Sequence, residues 1–196
     1  MKVYLVYCHP SSTSFTAAVR DRALAGLRAG GHEVRVTDLY ADDFQPEFSA
    51  WERTNQFEPP DKKPAIAEYA ADLQWCEALV LVYPTWWSGQ PAMLKGWIDR
   101  VWVVGVAYDL PEGANRIRPR LHNVRRLVAI TSHGSTKFVN ALEGEAGKRI
   151  VTRSLRVLCS WRARSKWIAL YNIDRTSPER RERFLARVER SMAKLR

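Results

Sequence analysis

The segment 9-HPSSTSFT-16 packs five hydroxyl side chains (Ser11, Ser12, Thr13, Ser14 and Thr16) and the imidazole of His9 into eight residues. One helix cap needs only one such oxygen. The surplus suits an anion, because a turn entering a helix also offers free N–H groups and the positive end of the helix dipole. Phosphate binding is therefore the expected chemistry. The chain has neither G-x-x-x-x-G-K-(S/T) nor G-x-G-x-x-G, so a Walker loop and a Rossmann dinucleotide fingerprint are not indicated. Cys8 raises the idea of a phosphatase thiolate. That chemistry wants an Arg closing C-x5-R, and Ser14 holds the position. Cys8 reads instead as a small core residue at a strand end.

A second unusual stretch, 83-YPTWWSGQPAMLKGWIDRVW-102, holds four of the eight tryptophans. Pro84 and Gly89 constrain the backbone of 84-PTWWSGQ-90. Its N–H groups can face a planar ligand while Trp86 and Trp87 supply flat walls. Met93, Leu94, Trp97, Ile98, Val101 and Trp102 form one helical stripe, equally suited to the core and to a dimer contact. A third segment, 131-TSHGSTK-137, is again small, hydroxylic and glycine-containing.

Alternating strands and helices must position these three loops. Apolar or alternating runs predict strands at 2–8, 32–38, 78–83, 126–131 and 165–173. Helical spacing predicts helices at 15–29, 65–77, 91–103, 149–159 and 177–195. Residues 40–64 and 104–124, rich in proline or glycine, read as irregular. This order predicts a single α/β domain over 1–196. The expected form is a three-layer sandwich around a five-stranded parallel sheet, in the flavodoxin-like order 2-1-3-4-5. A ligand then belongs beyond the carboxyl ends of strands 1 and 3, where 9–16, 84–90 and 131–137 converge.

Composition adds limits. The chain has 196 residues and a net charge of +10. Residues 148–196 carry 15 basic and 4 acidic side chains, so the excess sits near the end of the chain. No nucleic-acid motif accompanies it, and a solvated Arg-rich face is the expectation, with nothing calling for membrane contact. Three cysteines without C-x-x-C spacing, no apolar run long enough for a span and no signal-like opening point to the cytoplasm and against a zinc site.

With these residues in place, the chain resembles the NAD(P)H:quinone oxidoreductase family. The likeness rests on His9-x4-Ser14-Phe15, on Asp38-Leu39-Tyr40-Ala41, on P-x-x-W-x-G-x-P-A-x-L-K-G-W-x-(D/E)-R-V at 84–101 and on T-S-x-G-S at 131–135. It covers most of residues 1–138. The resemblance implies a flavin, FMN rather than FAD, since the extra C-terminal domain of the animal enzymes has no counterpart here. His9, Thr13, Ser14, Phe15 and Thr16 would hold its phosphate. Pro84, Thr85, Trp86, Trp87 and Ser88 would line its ring, with the N–H groups of Trp87 and Ser88 on the reacting edge, and Trp86, where the family varies, would shape the substrate slot or cover the loop. Thr131, Ser132, His133 and Gly134 would hold the pyrimidine side, and Tyr108 would reach the substrate pocket of a partner in a homodimer. The implied reaction is a two-electron ping-pong transfer from NAD(P)H to a quinone or similar flat electrophile.

The chain also departs from the pattern. The Tyr and His that assist charge development in the animal enzymes fall at Val139 and Glu145. His133 replaces a glycine of the third loop, and it or the backbone N–H groups near it are the candidates for stabilising negative charge on the reduced flavin, with an exposed loop histidine as the alternative. An NADPH phosphate would call on Arg116, Arg118, Arg120, Arg125 or Arg126. A flavin-bound regulatory or ancillary subunit is the alternative. A one-electron flavodoxin shuttle fits poorly, because those proteins are typically acidic.

Overall fold

The computed structural model describes residues 1–58, 62–111, 113 and 115–196. Its centre is a parallel sheet of β1 (Lys2–Tyr7), β2 (Glu33–Asp38), β3 (Ala78–Pro84), β6 (Arg126–His133) and β7 (Arg164–Tyr171). The strand order is β2-β1-β3-β6-β7, the predicted 2-1-3-4-5. Period-two geometry sends alternate side chains to opposite faces. Tyr4, Val6, Leu79, Leu81, Leu127 and Ala129 enter one core layer, and Val3, Leu5, Val80, Val82, Val128 and Ile130 enter the other. Both faces are covered, which is why these strands read as continuous apolar runs.

Helices α1 (Phe15–Ala29) and α7 (Pro178–Ala193) cover one face. Helices α3 (Ala67–Trp75) and α4 (Ala92–Val101) cover the other. Each strand runs towards the same edge, so its loop there opens beside the next helix N-terminus. The tryptophan stripe is decided in favour of the core. Trp97 is fully buried and meets Tyr4 edge-on at 6.1 Å, and Trp102 is buried beside it.

Several boundaries differ from the expectation. Residues 40–64 contain a short helix, α2 (Ala50–Thr54), started by a reciprocal cap between Ser49 and Glu52. The 104–124 segment carries a two-stranded ribbon of β4 (Tyr108–Asp109) and β5 (Arg118–Pro119). Strand β6 runs to His133 rather than stopping at 131, because β7 pairs with it to the end, His133 opposite Tyr171. A helix missed in the sequence, α5 (Lys137–Leu142), follows, capped by the Thr136 hydroxyl. Next comes α6 (Ala146–Arg149), and the expected regular helix at 149–159 is instead a π-helical turn over Ile150–Leu155 and a 3-10 turn over Arg156–Leu158. Pro91 sits at the N-cap of α4, one residue before the first helical turn.

Candidate functional site

At the end of β1 the chain turns sharply into α1. Ser14 is the helix cap, its hydroxyl accepting the Ala17 N–H at 3.1 Å. The His9 ring nitrogen Nδ1 accepts the Ser11 N–H at 3.0 Å, and the Ser11 and Thr13 hydroxyls lie 3.2 Å apart. These contacts order the loop but leave the Phe15 and Thr16 N–H groups without a partner among the described residues. Phe15 turns its ring towards Phe184 at 6.1 Å, and the Thr16 side chain is buried. What these two residues offer outward is therefore backbone.

The second loop is more constrained. Trp86 and Gly89 exchange N–H···O bonds of 3.2 and 3.0 Å, closing a two-residue turn. Its central residues, Trp87 and Ser88, have φ of +47° and +60°. Such a turn ordinarily takes Asn and Gly, and the left-handed region costs an L-residue about 1–2 kcal/mol. The strain is held by the segment behind it. The Gly147 N–H donates to the Ser88 carbonyl at 3.0 Å, the Gln90 amide donates to Tyr83 and to the Gly147 carbonyl, and the Ser88 hydroxyl donates to Glu143. A Cβ on Gly147 would come within 3.3 Å of the Ser88 oxygen, so this approach favours glycine. The Trp87 and Ser88 N–H groups find no partner among the described residues. The Trp87 side chain is fully exposed, while Trp86 lies 6.3 Å from His9 and links the first loop to the second.

The third wall is the end of β6. Thr131 and His133 share a strand face, and both meet Thr85, whose Oγ1 is 2.9 Å from Thr131 Oγ1 and 3.4 Å from His133 Nε2. The Thr85 N–H donates to the Ser132 carbonyl at 2.8 Å. His133 is no exposed loop residue. It is buried, stacks on Tyr171 at 4.5 Å, and leaves Nδ1 without a partner among the described residues. Burial pushes its pKa below the ordinary imidazole value, against the opposing effects of Asn140, Glu145 and Glu143.

Thr85, Trp87, Ser88 and His133 line a cleft of about 260 Å³ together with Gly134, Ser135, Asn140 and Glu143. The expected second and third loops thus converge. Asn140 and Glu143 were missed in the sequence because the first lies in α5 and the second caps its end. The signal available was Thr136 before the apolar-spaced Phe138, Val139 and Leu142. Val139 does not line the cleft, whereas Glu145 stands just behind it, bonded to Lys148 at 2.6 Å. Tyr108 lies in the β4–β5 ribbon and does not line the cleft either. Arg120 is paired with Asp109, and Arg125 and Arg126 lie at the amino edge of the sheet, opposite the cleft. Those last two are removed as candidates for a phosphate near it. The Cys8 thiol is buried and pushed up to about 12 by that burial, which removes a thiolate nucleophile.

A family model described as "Flavodoxin-like fold" matches residues 1–195. The chain belongs to that family. It is 39% identical over 111 residues to an uncharacterized NAD(P)H oxidoreductase, YcaK, of Escherichia coli, a match covering 55% of each chain. It is 30% identical over 164 residues to NAD(P)H dehydrogenase (quinone) 1 of Rattus norvegicus, covering 74% of this chain and 58% of the relative. The chain thus spans little more than half the length of these curated relatives. Among solved structures, NAD(P)H:quinone oxidoreductase from Methanothermobacter marburgensis superposes with a TM-score of 0.83 at 29% identity, over 100% of this chain and 99% of that one. The likeness read from the loop motifs is borne out by these matches. Among the described residues, no helix is long and apolar enough to cross a membrane and no cluster suited to a metal ion occurs.

Proposed function

We propose that this protein is a flavin-dependent NAD(P)H oxidoreductase that reduces quinones or similar flat electrophiles by two-electron transfer. The observation that carries the reading is the Trp86–Gly89 turn. It spends backbone strain on a turn that leaves the Trp87 and Ser88 N–H groups unpaired among the described residues and lines the same cleft as Thr85 and His133. Strain kept at a loop tip marks function more often than packing.

The donor set fits a flavin mononucleotide. The Phe15 and Thr16 N–H groups, with His9, Thr13 and Ser14 around them, would hold the phosphate. The Trp87 and Ser88 N–H groups would face the reacting edge of the ring, with Pro84, Thr85 and Trp86 beside it. Thr131, Ser132 and Gly134 would take the pyrimidine end. The His133 ring, held against Thr85, lines the cleft beside this end. When bound, the flavin accepts a hydride from NAD(P)H and passes two electrons to the acceptor.

The chain's own residues position, orient and stabilise. His133, held by Tyr171 and Thr85, would keep its imidazole fixed beside developing negative charge without having to reorient. Its depressed pKa keeps the imidazole neutral near pH 7, so it acts as a hydrogen-bonding dipole. Exposed Trp87 presents a flat face to the incoming nicotinamide or acceptor. A homodimer in which Tyr108 closes the partner's cleft belongs to the same reading, and FMN is preferred over FAD.

The test is a visible spectrum after incubation with excess FMN and desalting. A retained flavin band, lost when Thr16→Pro removes one amide and distorts the helix start, supports the reading. A colourless protein with both FMN and FAD contradicts it.

A further inference from the structure

Many of the chain's cations are closed by a carboxylate. Arg100 and Glu52 form a buried pair at 2.7 Å, and Arg22 of α1 bonds Glu182 and Glu189 of α7. One cluster of cations has no such partners. It lies where β6 and β7 begin and α7 ends, at the sheet edge opposite the cleft beneath Trp87. There Arg126, Arg164, Lys166, Lys194 and Arg196 line a cavity of about 250 Å³. It shares no lining residue with the cleft.

The strand register sets these charges side by side. Arg126 stands directly opposite Arg164, and Val128 opposite Lys166. Residues opposite each other share a sheet face, as do residues two apart on one strand. Val128 packs in the layer under α1 and α7, so Arg126, Arg164 and Lys166 project to that same side. Lys166 accordingly reaches α7, donating to the Ser191 hydroxyl at 2.6 Å with one of its three donors. Like charges set opposite one another destabilise a sheet. Yet no carboxylate among the described residues lies within salt-bridge distance of any of the five cations. Even with the α-carboxylate of Arg196 set against one of them, four positive charges remain. The last turn of α7 offsets only about half a charge. A solvated face would spread such side chains apart, whereas these line one concavity.

The shape and charge describe a ligand. The cavity is smaller than the roughly 300–1,000 Å³ of drug-sized sites, so it suits a compact anion. Guanidinium forks match tetrahedral oxyanions through paired N–H···O bonds. Neutralising four charges takes more than one phosphoryl group. We propose that this cavity is a second binding site, for a compact ligand with two neighbouring phosphoryl groups, either a free diphosphate or a bisphosphorylated lipid headgroup. Arg126 and Arg164 grip one group, and Lys166 and Lys194 the other.

The test is isothermal titration with pyrophosphate, orthophosphate and citrate at one fixed salt concentration, on the protein with and without added FMN. The proposal expects a pyrophosphate site that survives added FMN and is about tenfold tighter than either other anion. It expects Arg164→Gln to weaken pyrophosphate by a similar factor, and a further Lys194→Gln to remove the site. Both side chains are exposed, so the fold tolerates these changes. Citrate binding as tightly as pyrophosphate overturns the proposal, since any basic patch would do that. No pyrophosphate site at all, or one that Arg164→Gln leaves unchanged or FMN displaces, also overturns it. So does a duplex oligonucleotide that binds more tightly than pyrophosphate and is lost in the same variants, which assigns the cluster to nucleic acid. Flotation with phosphatidylcholine vesicles, with and without phosphatidylinositol bisphosphate, separates the two sources. Flotation with the bisphosphate that pyrophosphate competes away supports the headgroup, and pyrophosphate binding without flotation supports the free diphosphate. The Arg164→Gln comparison needs no flavin, so failure of the flavin reading leaves this result interpretable.

Discussion

His133 is where the sequence and the structure differ most usefully. In the sequence it is one polar residue of a loop. In the fold it ends a strand, stacked on Tyr171, with one ring nitrogen near Thr85 and the other unpaired. Its pH behaviour follows from the sign of its shift. Above the ordinary imidazole pKa of about 6.5, both folded and unfolded states are neutral at this site. As pH falls, the unfolded chain takes the proton first, because the folded pKa is lower. Stability is therefore lost progressively from about pH 6.5 downwards, to the folded value. Comparing the Tm–pH curves of the protein and of His133→Phe should show a shallower acid loss in the variant. The same variant should lower quinone turnover by about 10- to 100-fold if the imidazole stabilises developing charge. A second residue-scale outcome concerns thiols. Cys8, Cys76 and Cys159 are buried and each pushed up to about 12 by that burial. They should resist a thiol reagent at pH 8 until the protein unfolds, and rapid labelling of the native protein would contradict this burial.

Among the elements, the Trp86–Gly89 turn and the Glu52–Arg100 brace invite opposite mutations. Trp87→Gly relieves a left-handed φ and should stabilise by about 1 kcal/mol, a rise in Tm of roughly 2–4 °C. Flavin binding should persist, because the amide remains, while acceptor turnover falls with the ring. A drop in Tm would contradict the strain argument. Arg100→Met leaves the buried Glu52 carboxylate unpaired and should cost about 3–5 kcal/mol by urea denaturation. The strands and the first two loops were legible because their signals are local: apolar runs, a Pro and Gly frame, a cluster of hydroxyls. Helix α5 was not, since its six residues carry one weak cap and no long period. Helix α2 hid in a proline-rich stretch although Ser49 and Glu52 spell a capping box. The π-helical turn at Ile150–Leu155 carries no sequence signature we can name. Trp97 and Trp102 were ambiguous because a stripe specifies a buried face without saying what buries it.

At the scale of the molecule, five parallel strands bring loops far apart in sequence to one edge, and the cleft opens there between the ends of β3 and β6, with no residue of 9–16 in its lining. The sequence carried the strand order, since alternation of strand and helix admits few topologies. Arg125 and Arg126 lie at the other edge because β6 begins at Arg126, the start that the apolar run at 126–131 predicts. Part of the basic C-terminal charge is structural: Lys166 of β7 donates to Ser191 and Arg181 of α7 to the Ile173 carbonyl, while Glu182 and Glu189 of α7 bond Arg22 of α1. The central claim is that the cleft passes two electrons from a nicotinamide to a flat acceptor. The most direct measurement is an anaerobic titration of the FMN-loaded protein with NADH or NADPH, followed by menadione. The account predicts loss of the visible flavin band at one equivalent of NAD(P)H and its full return at one equivalent of quinone. A band that resists both nicotinamides, or one that is bleached but not restored by quinone, would contradict it.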